Sequence, residues 1–208
     1  MEARLKRLTE RYREDERAAA SVVPPTPCVF DVDEWPSHAQ VWLYKAGFSK
    51  PMIQKRGVYY HPPTDRVVLP LVEDGKLVYW QARGFSVDSA KYINPQVDRS
   101  KLVAKCGQGD LLVLTEDILS CWKVGEVTEA WSLMGVVLHP SALNRIVQDR
   151  RRVAVWLDPD KAGQEGMATI VRTLRLYSVD VTRIDSDKDP KLYTFKEIAC
   201  HLNLPYCG

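Results

Sequence analysis

The sequence predicts an α/β protein: a mixed α+β N-terminal subdomain, then a C-terminal subdomain built on a parallel sheet. Three observations carry this expectation. From Gly109 onward, short apolar runs alternate with stretches of helical spacing, the pattern of strands joined by helical crossovers. Before that point, two apolar runs flank an Asp-Gly pair, as in a β-hairpin. The 208 residues suffice for one sizeable domain or two small ones, and 45% of them are hydrophobic. The expected divisions are residues 1–27, 28–107 and 108–208.

The elements follow in order. The first twenty residues alternate Glu with Arg or Lys and suit an exposed helix, which the prolines of SVVPPTP end in a linker or extended arm. Ala39, Trp42, Leu43 and Ala46 share one helical face, and that helix stops at Gly47. A second short helix starts at Ser49-Lys50-Pro51. Val67 to Val72 and Leu77 to Ala82 are the hairpin strands around an Asp74-Gly75 turn. AKYINP and SKLVAKC are short strands or lysine-bearing loops.

In the C-terminal part, LLVLTED is a buried strand ending in Glu116 and Asp117, with a helix behind it that turns Ile118, Cys121 and Trp122 inward. EAWSLMG is the second strand, and HPSALNRIV is a helix with Pro140 in its first turn. VAVWLDPD is the third strand; its helix carries Met167, Ile170, Val171 and Leu174 at helical spacing. VDVTRI is the fourth strand. TFKEIACHL closes as a helix whose Thr194 and Glu197 have capping-box spacing.

Composition excludes several classes. A formal net charge of +2 announces no nucleic-acid partner, so any basic surface must be local. No apolar run is long enough to span a membrane, and MEARLKRLTERYREDERAAA is too charged for a secretory signal; a cytoplasmic protein with no membrane partner is expected. Cys28, Cys106, Cys121, Cys200 and Cys207 form no C-x-x-C pair, which argues against a disulfide framework and against structural zinc. His38, His61, His139 and His201 are scattered and read as surface or loop residues.

Three of the predicted strands end in acid: Glu116 after the first, Asp158 and Asp160 after the third, and the Asp185, Asp187, Asp189 series after the fourth. Ligands of an open parallel sheet gather at those ends. Crowded carboxylates repel unless a cation sits among them, and hard oxygen donors with open positions suit Mg²⁺ and phosphate. Each acid also has a simpler explanation, Asp160 as a helix N-cap and Glu116 with Asp117 as dipole-favoured acids.

VLTEDILS, then VWLDPDKAGQEG, then DSDKDPKLYTFKEI resemble the TOPRIM domain shared by bacterial and phage primases, topoisomerases and related nucleases. The D-P-D-K-A-G form with the later K-D-P resembles the primase branch. The A-G-F-S helix end, RVVLPL, WQARGF and KYINP resemble the basic subdomain that precedes TOPRIM there. The likeness covers Asp33 to the C-terminus and is to a phage-type or bacterial-type DNA primase catalytic core, with the TOPRIM-type parallel-sheet fold for the C-terminal subdomain.

That resemblance implies metal-dependent, template-directed synthesis of RNA primers on single-stranded DNA. It implies Glu116, Asp158 and Asp160 as catalytic and metal-binding acids, and Asp189 as holding a second ion or the incoming nucleotide. Lys161 and Gly163 match the turn that lets backbone and cation approach phosphate; Arg83, Lys91 and Lys105 match basic residues that face template and triphosphate, with a solvated strand face as the alternative. Mg²⁺, or Mn²⁺ in its place, is the implied cofactor, and ribonucleoside triphosphates are the implied substrates. A bacterial host cytoplasm follows if the source is a phage.

Ser120 stands where many primases have aspartate, and Lys191 where bacterial primases often repeat the acid; both thin the metal site. No zinc-ribbon cysteines and no P-loop occur, so either a separate zinc-ribbon protein, helicase or polymerase supplies those functions or the chain manages without them. Two other readings accompany the primase: a non-catalytic module that recruits a helicase or polymerase, and a TOPRIM nuclease.

Overall fold

The computed structural model describes residues 22–73, 75–86 and 90–205. The expected N-terminal charged helix, Asp74 and Cys207 lie outside the described residues. The chain clusters into two compact units. One holds the described residues up to Tyr44 and Ser49–Asp98, the other Lys45–Phe48 and the described residues from Arg99 on.

The first unit joins two short helices, α1 (Ser37–Lys45) and α2 (Lys50–Lys55), to an antiparallel sheet of β1 (Tyr59–His61), β2 (Arg66–Glu73), β3 (Lys76–Gly84) and β4 (Tyr92–Ile93), in that spatial order. Trp35, Ala39, Leu43 and Ile53 are buried, and the Trp35 indole N–H donates to the Val29 carbonyl at 2.9 Å. β2 and β3 form the expected hairpin, closed from Glu73 to Lys76, with Gly75 at φ +75° where a side chain would be strained. Pro70 sits within β2 but past the stretch that pairs with β1, so its missing N–H breaks no bond on that side.

Two polar residues are inside this unit. Arg66 is buried and donates to the carbonyls of Ala82 (3.1 Å) and Ala90 (2.9 Å); a Cβ on Gly84 would come within 2.7 Å of its guanidinium. His61, expected at the surface, is buried at 7% exposure. Its Nε2 lies 2.9 Å from the Thr26 carbonyl oxygen and its Nδ1 lies 2.7 Å from Thr64 Oγ1. A carbonyl only accepts, so Nε2 donates, and in the neutral ring Nδ1 accepts from the threonine. Full pairing is what lets an imidazole replace a hydrophobe here.

The second unit is a five-stranded sheet in the order β5-β7-β6-β8-β9, from β5 (Ala104–Cys106), β6 (Leu111–Thr115), β7 (Glu129–Ser132), β8 (Arg152–Val155) and β9 (Val181–Arg183). The four expected strands pair in parallel, as crossover connections require. The fifth, β5 from SKLVAKC, runs antiparallel to β7 along the edge. The crossover helices are α3 (Ile118–Val124), α4 (Pro140–Asp149) and α5 (Lys161–Leu176), and α6 (Phe195–His201) follows β9.

Met167, Ile170, Val171 and Leu174 of α5 pack with Ala142 and Ile146 of α4 against Leu112, Leu114, Val153 and Val155. α3 turns Ile118, Cys121 and Trp122 inward as expected, and its other four residues are buried as well. Its buried lysine, Lys123, is accommodated because Nζ donates to the carbonyls of Ala46 (3.1 Å) and Gly47 (3.2 Å) and lies over the Phe195 ring. Burial lowers the pKa of this lysine. These bonds tie Lys45–Phe48 to the second unit.

α6 opens with a complete capping box: Thr194 Oγ1 accepts from the Glu197 N–H, and the Glu197 carboxylate accepts from the Thr194 N–H at 2.7 Å. Thr194→Ala is expected to lower unfolding free energy by about 1 kcal/mol in a denaturant titration, as loss of an N-cap does.

Candidate active site

The topology makes one crevice. β6 crosses over to β7 on one side, β8 crosses to β9 on the other, and β6 and β8 are neighbours. Connections that leave in opposite directions part at the carboxyl ends of these two strands, where an open sheet binds its ligands. Glu116 follows β6 directly, and Trp156-Leu157 carry β8 forward to Asp158. The Trp156 N–H donates to the Leu114 carbonyl at 2.9 Å, holding the two strand ends side by side.

Acidic residues converge there. The Glu116 carboxylate draws on the Asp158 backbone N–H, yet burial, with Asp160 and Asp117 nearby, raises its pKa. Asp158 is pushed up to about 7: burial is the largest cause, Asp117, Asp189 and Glu116 add to it, and Lys191 opposes it. Asp117 caps α3, accepting from the Ser120 N–H (3.0 Å) and from Ser120 Oγ (2.8 Å). The serine at this position is therefore a buried partner of Asp117. Asp160 caps α5, its Oδ1 accepting from the Gly163 N–H at 2.8 Å.

The series after β9 splits up. Asp185 pairs with Arg183, Asp187 accepts from the Tyr193 hydroxyl, and only Asp189 shares a partner with acids of the crevice. That partner is Lys191. Its Nζ lies 2.6 Å from Asp189 Oδ2, 2.9 Å from Asp117 Oδ2 and 3.8 Å from Asp158 Oδ2, with the side chain 18% exposed. Burial disfavours the ammonium, but Asp117, Asp158 and Asp189 outweigh it and hold the pKa above the usual lysine range.

Among the described residues, no three His, Cys, Asp or Glu side chains form a ready metal cage. Two buried carboxylate oxygens nevertheless have no hydrogen-bond partner, Glu116 Oε2 and Asp158 Oδ1. A buried acceptor left unpaired is costly. Such oxygens fit a hard divalent cation that keeps most of its own waters.

Residues 115–194 match a Toprim-like family. No curated protein matches the chain. A solved structure of the DnaG catalytic core is similar with a TM-score of 0.61 at 14% identity, over 78% of this chain and 70% of that one. The Aquifex aeolicus primase, a structure of its zinc-binding and RNA polymerase domains, is similar with a TM-score of 0.56 at 17% identity, over 90% of this chain; the match spans 54% of that structure. The DnaG primase catalytic domain bound to ssDNA is similar with a TM-score of 0.57 at 14% identity, over 90% of this chain and 67% of that one.

The chain has the fold of a DnaG-type primase core with a Toprim-like domain. Within this primase-type fold, Glu116, Asp158, Asp160 and Asp189 lie in the C-terminal unit, together with Asp117 and Lys191. Gly163 is there for packing: a Cβ on it would sit 2.1 Å from the Asp158 carbonyl oxygen. Lys161 opens α5 with its side chain 89% exposed, near Glu165. Lys105 is on β5 with Nζ 4.7 Å from the Trp131 ring.

Arg83 and Lys91 belong to the first unit. Arg83 donates to the Gly84 carbonyl at 2.5 Å and lies over the Phe85 and Tyr92 rings, and Lys91 is exposed beside Tyr92. Tyr59, Tyr60 and Trp80 are packing residues whose polar atoms bond to Pro25, Asp65 and Val23. Lys191 stood out in the sequence only as a replaced acid; its pairing with Asp117 and Asp158 was not readable until the fold closed them around it.

Proposed function

We propose that this chain is the catalytic core of a DNA primase that joins ribonucleotides on a single-stranded DNA template. The observation that carries the reading is the pair of buried, unpartnered carboxylate oxygens of Glu116 and Asp158 at the β6/β8 crevice, in a fold shared with primase cores. One of those cores was solved bound to ssDNA.

In this reading Glu116, Asp158 and Asp160 hold the Mg²⁺ or Mn²⁺. The ion supplies electrostatic stabilisation of the phosphate charge that develops as a 3′-hydroxyl displaces pyrophosphate. Asp160 stays oriented because one of its oxygens caps α5. Lys91, Arg83, Lys105 and Lys161 offer positive charge to template and triphosphate, so binding falls with salt, each neutralised phosphate contributing about 0.7 to the log–log slope. A separate zinc-ribbon protein, a helicase or a polymerase would complete the replication role.

Lys191 favours a second reading, since a lysine that neutralises the acids suits a non-catalytic module recruiting replication proteins. Primer synthesis on mixed-sequence single-stranded DNA separates the two. Labelled short RNA products from wild type with Mg²⁺, and none from Asp158→Ala that still binds the DNA, are expected for the primase. Equal product from Asp158→Ala would sink the catalytic assignment, and DNA binding without synthesis by wild type would favour the recruiting module.

A further inference from the structure

The two oxygens of Asp158 face different surroundings. Oδ2 is turned to Lys191 Nζ at 3.8 Å, whereas Oδ1 is buried without a hydrogen-bond partner. Lys191 Nζ is also 2.9 Å from Asp117 Oδ2 and 2.6 Å from Asp189 Oδ2. Three carboxylates from three different strand ends thus converge on one positive centre that carries a single charge. Glu116 and Asp160 act on each other electrostatically and make no ion pair with this lysine, and Glu116 Oε2 is the other unpartnered oxygen.

We propose that Lys191 is a tethered cation occupying one of two cation positions in the acidic crevice, so that the chain takes a single divalent ion, on the side of Glu116 Oε2 and Asp158 Oδ1. The inference rests on the metal-site reading above. An ammonium on a flexible stem brings charge but no vacant coordination position, so it neutralises Asp117 and Asp189 without offering a site to a phosphate oxygen.

The test is Mn²⁺ binding to the full chain, counted from the electron paramagnetic resonance signal of free Mn²⁺. Wild type is expected to bind one ion per chain, and so is Lys191→Arg, which keeps the charge. Lys191→Ala and Lys191→Met are expected to bind one ion more than wild type. No increase in either variant overturns the proposal, as does an increase in Lys191→Arg. The wild-type count tests the metal site itself: zero in wild type with one in Lys191→Ala would sink the single-ion site while supporting the tethered cation.

The acids released by substitution repel one another, so both neutral variants are expected to melt below wild type in chelator and to recover in millimolar Mn²⁺. Should neither variant fold in chelator, recovery of the melting transition on adding Mn²⁺ supports the proposal, and no recovery overturns it.

Discussion

Asp158→Asn is expected to abolish primer synthesis and, at the same time, to stabilise the metal-free protein at pH 8. The stability effect follows from burial. An exposed aspartate titrates near ~3.9, and Asp158 in the folded chain titrates at about 7. Between those values the folded state holds a proton that the unfolded state has released, so folding loses free energy as pH rises through the window. Above about pH 7 the whole cost is present, on the order of 2–4 kcal/mol. Asparagine keeps the shape without the charge. Its gain in unfolding free energy is expected to shrink to a few tenths of a kcal/mol near pH ~4, where the folded wild type is protonated and the unfolded chain about half so. Urea titrations of both proteins in chelator at the two pH values measure this directly, and an equal effect at both would mean that buried charge is not its source.

Activity moves the other way. A neutral amide is a weak ligand for a hard cation, so synthesis is expected to fall by at least about 100-fold, the scale seen when one charge-stabilising group is removed. Mg²⁺ should raise the melting temperature of wild type and leave Asp158→Asn unmoved. A group whose charge costs stability and whose loss stops synthesis would be a functional acid.

Gly163→Ala is expected to be as damaging to folding as Asp158→Asn is to activity. The added Cβ would lie 2.1 Å from the Asp158 carbonyl oxygen, 3.0 Å from its carbon and 3.2 Å from its nitrogen. These are backbone atoms and cannot rotate aside, so either the first turn of α5 lifts or the β8 extension shifts. A cost of about 3 kcal/mol is expected, at the upper end for overpacking. Since the same backbone carries Asp158 and the Asp160 cap, synthesis should fall in whatever fraction folds. A Gly163→Ala protein with wild-type melting and wild-type synthesis would show that the close approach is not required.

Local patterning explains why so much of the second unit was readable in advance. LLVLT, EAWS, VAVW and VDVTRI lie on strands or run directly into and out of them, Pro140 and Thr194 stand at helix starts, and the β-hairpin around Gly75 forms where its turn residues place it. Each of those signals acts within a few residues. α3 was readable as a helix with Ile118, Cys121 and Trp122 inward, but its burial on every side was not, because its lysine bonds to the carbonyls of Ala46 and Gly47, far away in sequence. His61 escaped reading for the same reason, its pairing with Thr26 being invisible from either residue alone. β5 was legible only as a short strand or a loop, and its antiparallel place at the sheet edge depends on β7.

By itself the sequence determined the α/β class, the order of its elements, and the acids that end β6 and β8, because periodicity and strand-end residues are local properties of the chain. Only the tertiary structure decided what those acids do to one another. Asp117, Asp158 and Asp189 come from three strand ends that the sheet order brings together, and their charges matter only at the few ångströms that folding creates. The same convergence places Lys191 among them, and it leaves the buried oxygens of Glu116 and Asp158 at the crevice with no hydrogen-bond partner among the described residues.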